Sequence, residues 1–234
     1  SLFARALYKN SLGQDESYSE NQIPRMRRIS AAGMILFAFT VTYASYDWLM
    51  SLDAHWYSTI FGGYVFGGSA LGLMALLTLI CIWLRGKNIL TDEISIEHYH
   101  DLGKLTFTFA IFWAYMAFSQ YLLIWYGNIP EETIFYSHRW IGSWKAVSLL
   151  IVFGHFVVPF FIMITRPAKR NISILGIMVA LLLMMHWVDI YWLVMPNLHH
   201  EGAHISWMDI TATLGVGGIF LWFFLNRLRA NPII

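Results

Sequence analysis

Residues 71–84 read LGLMALLTLICIWL, an apolar run broken by one threonine and showing no alternation of apolar with polar residues. A membrane barrel strand alternates over about ten residues, so this stretch reads as helix rather than strand. Extended outward, it runs from Ser58 to Leu84. A bilayer core of about 30 Å is crossed by about 20 helical residues, so the stretch is long enough to span. Five more of the same kind follow or precede it: Ile29–Met50, Leu105–Tyr126, Ala146–Thr165, Ile172–Met195 and Met208–Leu225. The expected fold is all-α, a polytopic transmembrane bundle of six helices. Residues 1–28 form a polar segment before it, 29–229 the transmembrane domain (a four-helix bundle plus flanking helices), and 230–234 a short tail.

Composition agrees. The 234 residues are 58% hydrophobic, 17% aromatic and 12% charged, with a mean hydropathy of +0.55. A soluble domain carries about 25% charge, so too little polar surface is present to cover a water-soluble globule. A cytosolic enzyme, a nucleic-acid binder and a disordered chain are thereby excluded. The single cysteine, Cys81, leaves no internal disulfide framework and no Cys-ligated zinc or iron–sulfur site within this chain. The chain starts at Ser1 without a signal-peptide pattern, and the expectation is a piece of a longer protein.

Net charge is only +1, but the cations are unevenly placed. Arg5, Lys9, Arg25, Arg27, Arg28, Arg85, Lys87, Lys104, Arg166, Lys169, Arg170, Arg227 and Arg229 fall on one side of the spans; Arg139 and Lys145 fall on the other. The positive-inside rule makes the first side cytoplasmic and puts both chain ends there. The opposite loops carry Asp53 and His55, then Glu131, Glu132 and His138, then His199, His200, Glu201 and His204. They read as a solvated periplasmic surface, with a docking face or a proton exit as the rival readings. No spacing among them fixes a tetrahedral metal site, so no metal is expected. Gly63, Gly67, Gly68 and Gly72 in the second span, and Gly215, Gly217 and Gly218 in the sixth, are expected to let neighbouring helices approach.

Ionisable groups inside a bilayer are costly and are functional candidates by default. Asp47 lies in the first span, His155 in the fourth, and His186 and Asp189 in the fifth, where a separation of three puts them on one helix face. Gln120 and Lys145 fall at comparable depth. These residues suit a quinone site, where a head group needs a donor and a proton acceptor, or a proton pathway. The plain alternative is an interhelical polar clasp such as Asp47–Lys145. Axial haem ligation by His155 and His186 is disfavoured, because the two are expected at different depths.

The strings YDWLMSLDAHWYSTIFGGYVFGGS (46–69) and EHYHDLGKLTFTFAIFWAYMAFSQYLLIWYGNIPEET (97–133) resemble a membrane subunit of alternative complex III. This is the bacterial quinol:cytochrome c (electron-acceptor) oxidoreductase found in place of the cytochrome bc1 complex. The match is to its second large integral membrane subunit (the F subunit), of the polysulfide-reductase membrane-subunit (NrfD-like) superfamily. The resemblance implies the C-terminal portion of a longer subunit in the bacterial inner membrane, with no haem of its own. It further implies a homologous C-type membrane subunit, periplasmic multihaem cytochrome c and iron–sulfur subunits, lipids and quinone as partners. The superfamily's quinol site lies in the first bundle, which this chain lacks; Asp47, His155, His186 and Asp189 are then the candidates for proton conduction. Two readings stand: a subunit supporting quinol oxidation, electron transfer and proton translocation, or a structural anchor docking periplasmic redox subunits. An unrelated transporter ranks last, since broken helices with matching Gly/Pro interruptions mark that class and Pro159 is the one proline within a span.

Overall fold

The structure, a computed structural model, describes residues 2–16, 21–89, 91 and 93–229, so the tail 230–234 lies outside the described residues. Helix α1 (Leu2–Glu16) folds against α2 (Gln22–Trp48), with the ring of Phe3 lying over Gly33. After a 3-10 turn at Met50–Leu52 come α3 (Phe61–Gly86), α4 (Ile96–Gly127) and the short α5 (Pro130–His138). The next crossing is composite: α6 (Trp144–Ile151), a π-helical segment Val152–Val157, and α7 (Val158–Met163). Then follow α8 (Arg166–Arg170), α9 (Ile172–Val194), a 3-10 turn at Met195–Asn197, and α10 (Trp207–Arg229). Among the described residues there is no strand, and six helical stretches are long and apolar enough to cross a membrane. The fold is the all-α transmembrane bundle that the hydropathy pattern requires.

The helix ends follow local chemistry. Asn171 caps α9 by accepting from the backbone N–H of Ser173 at 3.0 Å and of Ile174 at 3.1 Å. Ser95 and His98 form a capping box at the start of α4, which ends at Asn128 in the left-handed region (φ 47°) with Pro130 just beyond. Helix α4 begins at Ile96, well before the apolar run at Leu105. Its polar first turns project past the hydrocarbon, since 32 residues extend about 48 Å. Arg170 pairs with Glu97 there and ties α8 to α4.

The π-helical segment has an identifiable cause. Pro159 has no N–H, and its ring collides with the carbonyl four residues back, that of His155, in a regular α-helix. Widening the turn removes the clash and is a recognised source of helix distortion. At Gly154 the wall of α9 is so close that a Cβ would lie 2.6 Å from Met185 Sδ.

Helices α3, α4, the α6–α7 crossing and α9 pack as a four-helix core, α2 flanks α3, and α10 has no buried residue. Trp187 Nε1 of α9 donates to Thr213 Oγ1 of α10 at 3.0 Å, one of few contacts holding that helix. The glycines divide accordingly. A Cβ at Gly67 would meet Phe112 at 2.9 Å, and one at Gly68 or Gly72 would meet the His186 ring at 2.9 Å, so α3 needs its glycines for packing. Gly215, Gly217 and Gly218 have nothing within 4 Å of an added Cβ; the expected close approach in the sixth span does not occur among the described residues.

Two apolar clusters fill the core. The one nearer the chain ends contains Leu71, Ala75, Tyr99, Ala110, Met163, Leu175, Met178, Val179 and Leu182. The far-end one contains Trp56, Phe61, Tyr64, Val65, Trp113, Ile124, Phe135, Ile151 and Leu193.

Candidate functional site

Four of the candidate residues come together in the far half of the core. Asp189, on α9, is 1% exposed and is held from two other helices: the Tyr64 hydroxyl of α3 donates to Oδ1 and Trp113 Nε1 of α4 donates to Oδ2 at 3.0 Å. A buried carboxyl is tolerated only when its oxygens are hydrogen-bonded, and here both are. His155, turned inward by the π-helical segment, is fully buried with its ring 4.0 Å from that of Trp113. The His186 ring lies 6.2 Å from that of His155 and rests on the α3 glycines. Both ring nitrogens of His155, and Nδ1 of His186, are buried without a hydrogen-bond partner. Gln120, 3% exposed, accepts from Ser58 Oγ at 3.5 Å and donates to Tyr136 Oη at 3.3 Å.

Asp47 and Lys145 are not part of this group. Asp47 is exposed in the last turn of α2, and Lys145 is exposed at the start of α6 with its ammonium 5.2 Å above the Trp140 ring. The Asp47–Lys145 clasp is therefore absent; both sit near the far end, where a charged tip reaches water more cheaply than it enters the bundle. The expectation of unequal depths for His155 and His186 is also corrected, since their rings are neighbours. Asp53 accepts from the backbone N–H of His55 at 3.2 Å in the turn after α2. Glu131 and Glu132 occupy the first turn of α5, where carboxylates favour the helix dipole. Among the described residues, no three of His, Cys, Asp or Glu are placed to hold a metal.

Beside the buried acid lies a cavity of about 590 Å³ walled by α4, α5, α6, the π-helical segment and α9, with Tyr64 and Trp113 on its inner side. Neither His155 nor His186 borders it. Most of its polar groups are already engaged. Ser148 Oγ donates towards the Arg139 carbonyl at 2.9 Å and accepts from Trp192 Nε1 at 2.8 Å. Arg139, 1% exposed, donates to the carbonyls of Phe135 at 2.8 Å, Leu193 at 2.9 Å and Trp192 at 3.2 Å, with its guanidinium 3.4 Å from the Phe135 ring centroid. It thus satisfies orphan carbonyls at the C-terminal end of α9, where a cation also meets the negative end of the dipole. Burial pushes its pKa down to about 9, which leaves it charged at neutral pH. Burial likewise holds the Tyr136 phenol well above its ordinary value, so it remains a protonated donor.

Tyr64, Trp113, Tyr136 and Arg139 were not singled out from the sequence. Arg139 had a signal, being the one arginine among the cations assigned to the far side; the aromatic residues had none beyond their abundance. No protein-family model matches the chain, and no curated protein matches it either.

Proposed function

We propose that this chain is an integral membrane subunit of a quinol-oxidising respiratory complex of the bacterial inner membrane, supporting quinol oxidation and moving protons through Asp189, His186 and His155. The observation that carries the reading is the buried carboxyl of Asp189, bonded from two helices beside a ligand-sized cavity in a bundle of membrane-spanning helices. Ionisable groups at such depth are expensive and belong to ion or proton pathways more often than to packing. Tyr64 joins cavity and acid: a proton arriving on its oxygen is matched by release of its own proton to Asp189, with no movement of either side chain. The imidazole pair behind Trp113 adds three unpartnered ring nitrogens able to take or pass a proton. Electron transfer itself belongs to partners, in this reading periplasmic haem c and iron–sulfur subunits beside a homologous C-type membrane subunit.

The test is the proton-to-electron ratio of the assembled complex. Asp189→Asn and His186→Ala lower it while the complex still assembles. An unchanged ratio in both variants leaves the structural-anchor reading, which one observation favours independently. The membrane-spanning windows of α2 and α10 are only 6% and 0% buried, so these helices offer wide faces to lipid or to another membrane subunit. Co-purification with a multihaem cytochrome c and an iron–sulfur subunit tests the family assignment directly.

A further inference from the structure

We infer that the end of the bundle nearer the chain ends binds a phospholipid of net negative charge, its phosphate held between Arg166 and Arg170 of α8 and one acyl chain laid along α9. This rests on the membrane-spanning bundle alone and not on the proposed redox role. Helix α8 is the short link between the α6–α7 crossing and α9, so its cations stand where two apolar spans end. Arg166, Pro167, Arg170 and Asn171 line a shallow groove there. The first turns of α4 pack against this link. The charges of Lys104, Arg166 and Lys169 all bear on the His100 imidazole of α4, and Arg170 reaches Glu97 of the same helix. Four cations therefore gather around α8.

Charge accounting names the head group. Asp101 pairs with Lys104 at 2.7 Å, and Glu97 pairs with Nη1 of Arg170. Lys169 is turned inward, its Nζ donating to the carbonyls of Met163 at 2.6 Å and Ile164 at 3.2 Å. Arg166 is exposed and, among the described residues, has neither an ion pair nor a hydrogen bond. Arg166 and Lys169 thus lack a carboxylate partner among the described residues. A phosphodiester answers such a surplus, and guanidinium groups grip its oxygens in pairs. A choline or ethanolamine head brings its own cation and cancels the gain, so a lipid of net negative charge is selected. The N–H groups of Ser173 and Ile174 are taken by the Asn171 side chain, so the contact belongs to the guanidinium groups and not to the end of α9. An apolar track leading away from the groove makes the bilayer the source of the phosphate. From Asn171 the exposed residues of α9 recur at Ile174, Ile177, Ala180 and Met184, a spacing of three or four that draws one stripe down the helix.

The experiment uses the full chain in maltoside micelles and counts bound lipid by native mass spectrometry. Dioleoyl phosphatidylglycerol is the probe and dioleoyl phosphatidylcholine the comparison. The parent binds the first about tenfold more tightly than the second. Arg166→Gln, which breaks no ion pair or hydrogen bond among the described residues, weakens binding about fivefold, the worth of one cation at a membrane surface. Adding Arg170→Gln brings the loss to about twentyfold. Ile177→Asn, in the middle of the stripe, weakens binding about threefold or more. Removing the same charge elsewhere at that end, by Arg227→Gln with Arg229→Gln on α10, changes affinity by less than about twofold. Equal affinity for the two lipids overturns the inference. So does equal weakening by the α8 and α10 pairs, which makes the attraction a diffuse effect of net charge. Displacement of the lipid by inorganic phosphate at matched concentration, or full affinity in Ile177→Asn, removes the acyl track and overturns it as well. Should the Arg170 variant lose helix content by circular dichroism, Arg166→Gln decides alone, and unchanged affinity there overturns the inference.

Discussion

The two halves of the core are built from different side chains, and the difference explains where the cavity lies. In the half nearer the chain ends, one of nine buried apolar residues is aromatic, Tyr99; the rest are Leu, Met, Ala and Val. In the far half five of nine are aromatic: Trp56, Phe61, Tyr64, Trp113 and Phe135. Flexible aliphatic side chains and methionine fill irregular gaps between helices. Flat rigid rings pack against one another edge-on or stacked, as Trp56 does on Phe135 at 4.0 Å, and leave space where the plates diverge. The far half therefore holds the cavity and the buried acid, and the near half is a mechanical clamp.

That contrast is open to direct attack. The largest effect is expected from Leu182→Ala in the near half, where the side chain is fully buried; loss of about 3–4 kcal/mol follows from lost contacts and the cavity created. Ile151→Ala, which only enlarges an existing void, should cost about 1–2 kcal/mol less. Unfolding free energies measured by steric trapping in bicelles compare the pair, and equal losses would erase the distinction.

Arg139→Met comes next. It strips three carbonyls of their donor beside the end of α9 and should cost about 3 kcal/mol in the same assay. Gly72→Ala probes the seam between the halves. Its new Cβ would lie 2.9 Å from His186 Cδ2, forcing the ring aside at a cost of about 1–2 kcal/mol and shifting the His186 imidazole resonances in NMR. Unmoved resonances would show that α3 does not position His186. The smallest effect belongs to Thr213→Val, which removes the Trp187 tether of α10 for about 0.6 kcal/mol. It should loosen α10 alone, seen as faster amide exchange in residues 207–229 and unchanged exchange in α3 and α4.

Much of this layout is legible in the chain. The six crossings follow from hydropathy, because a bilayer admits only helices or closed barrels and the runs do not alternate. His186 and Asp189, three apart on one helix, were bound to share a neighbourhood. Depth and facing along a helix are less legible in the chain. The π-helical turn before Pro159 rotates His155 towards His186, and no periodicity argument anticipates a turn of altered pitch. Asp47 and Lys145 looked equivalent to Asp189 by depth, yet they face outward, since hydropathy measures how far along a span a residue lies and not which way it points. The glycines of α10 looked like those of α3, and only a neighbouring helix gives such residues a packing role.

The sequence by itself determined that this is a helical membrane protein of six spans, with its cations gathered at one end and a few ionisable residues within the lipid depth. Those properties are set by each segment's own transfer free energy between water and hydrocarbon, which needs no knowledge of neighbours. The tertiary structure alone decided that Tyr64, Trp113 and Asp189 form one hydrogen-bonded group, that Arg139 closes the end of α9, and that a cavity lies beside them. Such features depend on how four helices rotate and lean against one another, and that is fixed by the shapes of side chains far apart in the chain.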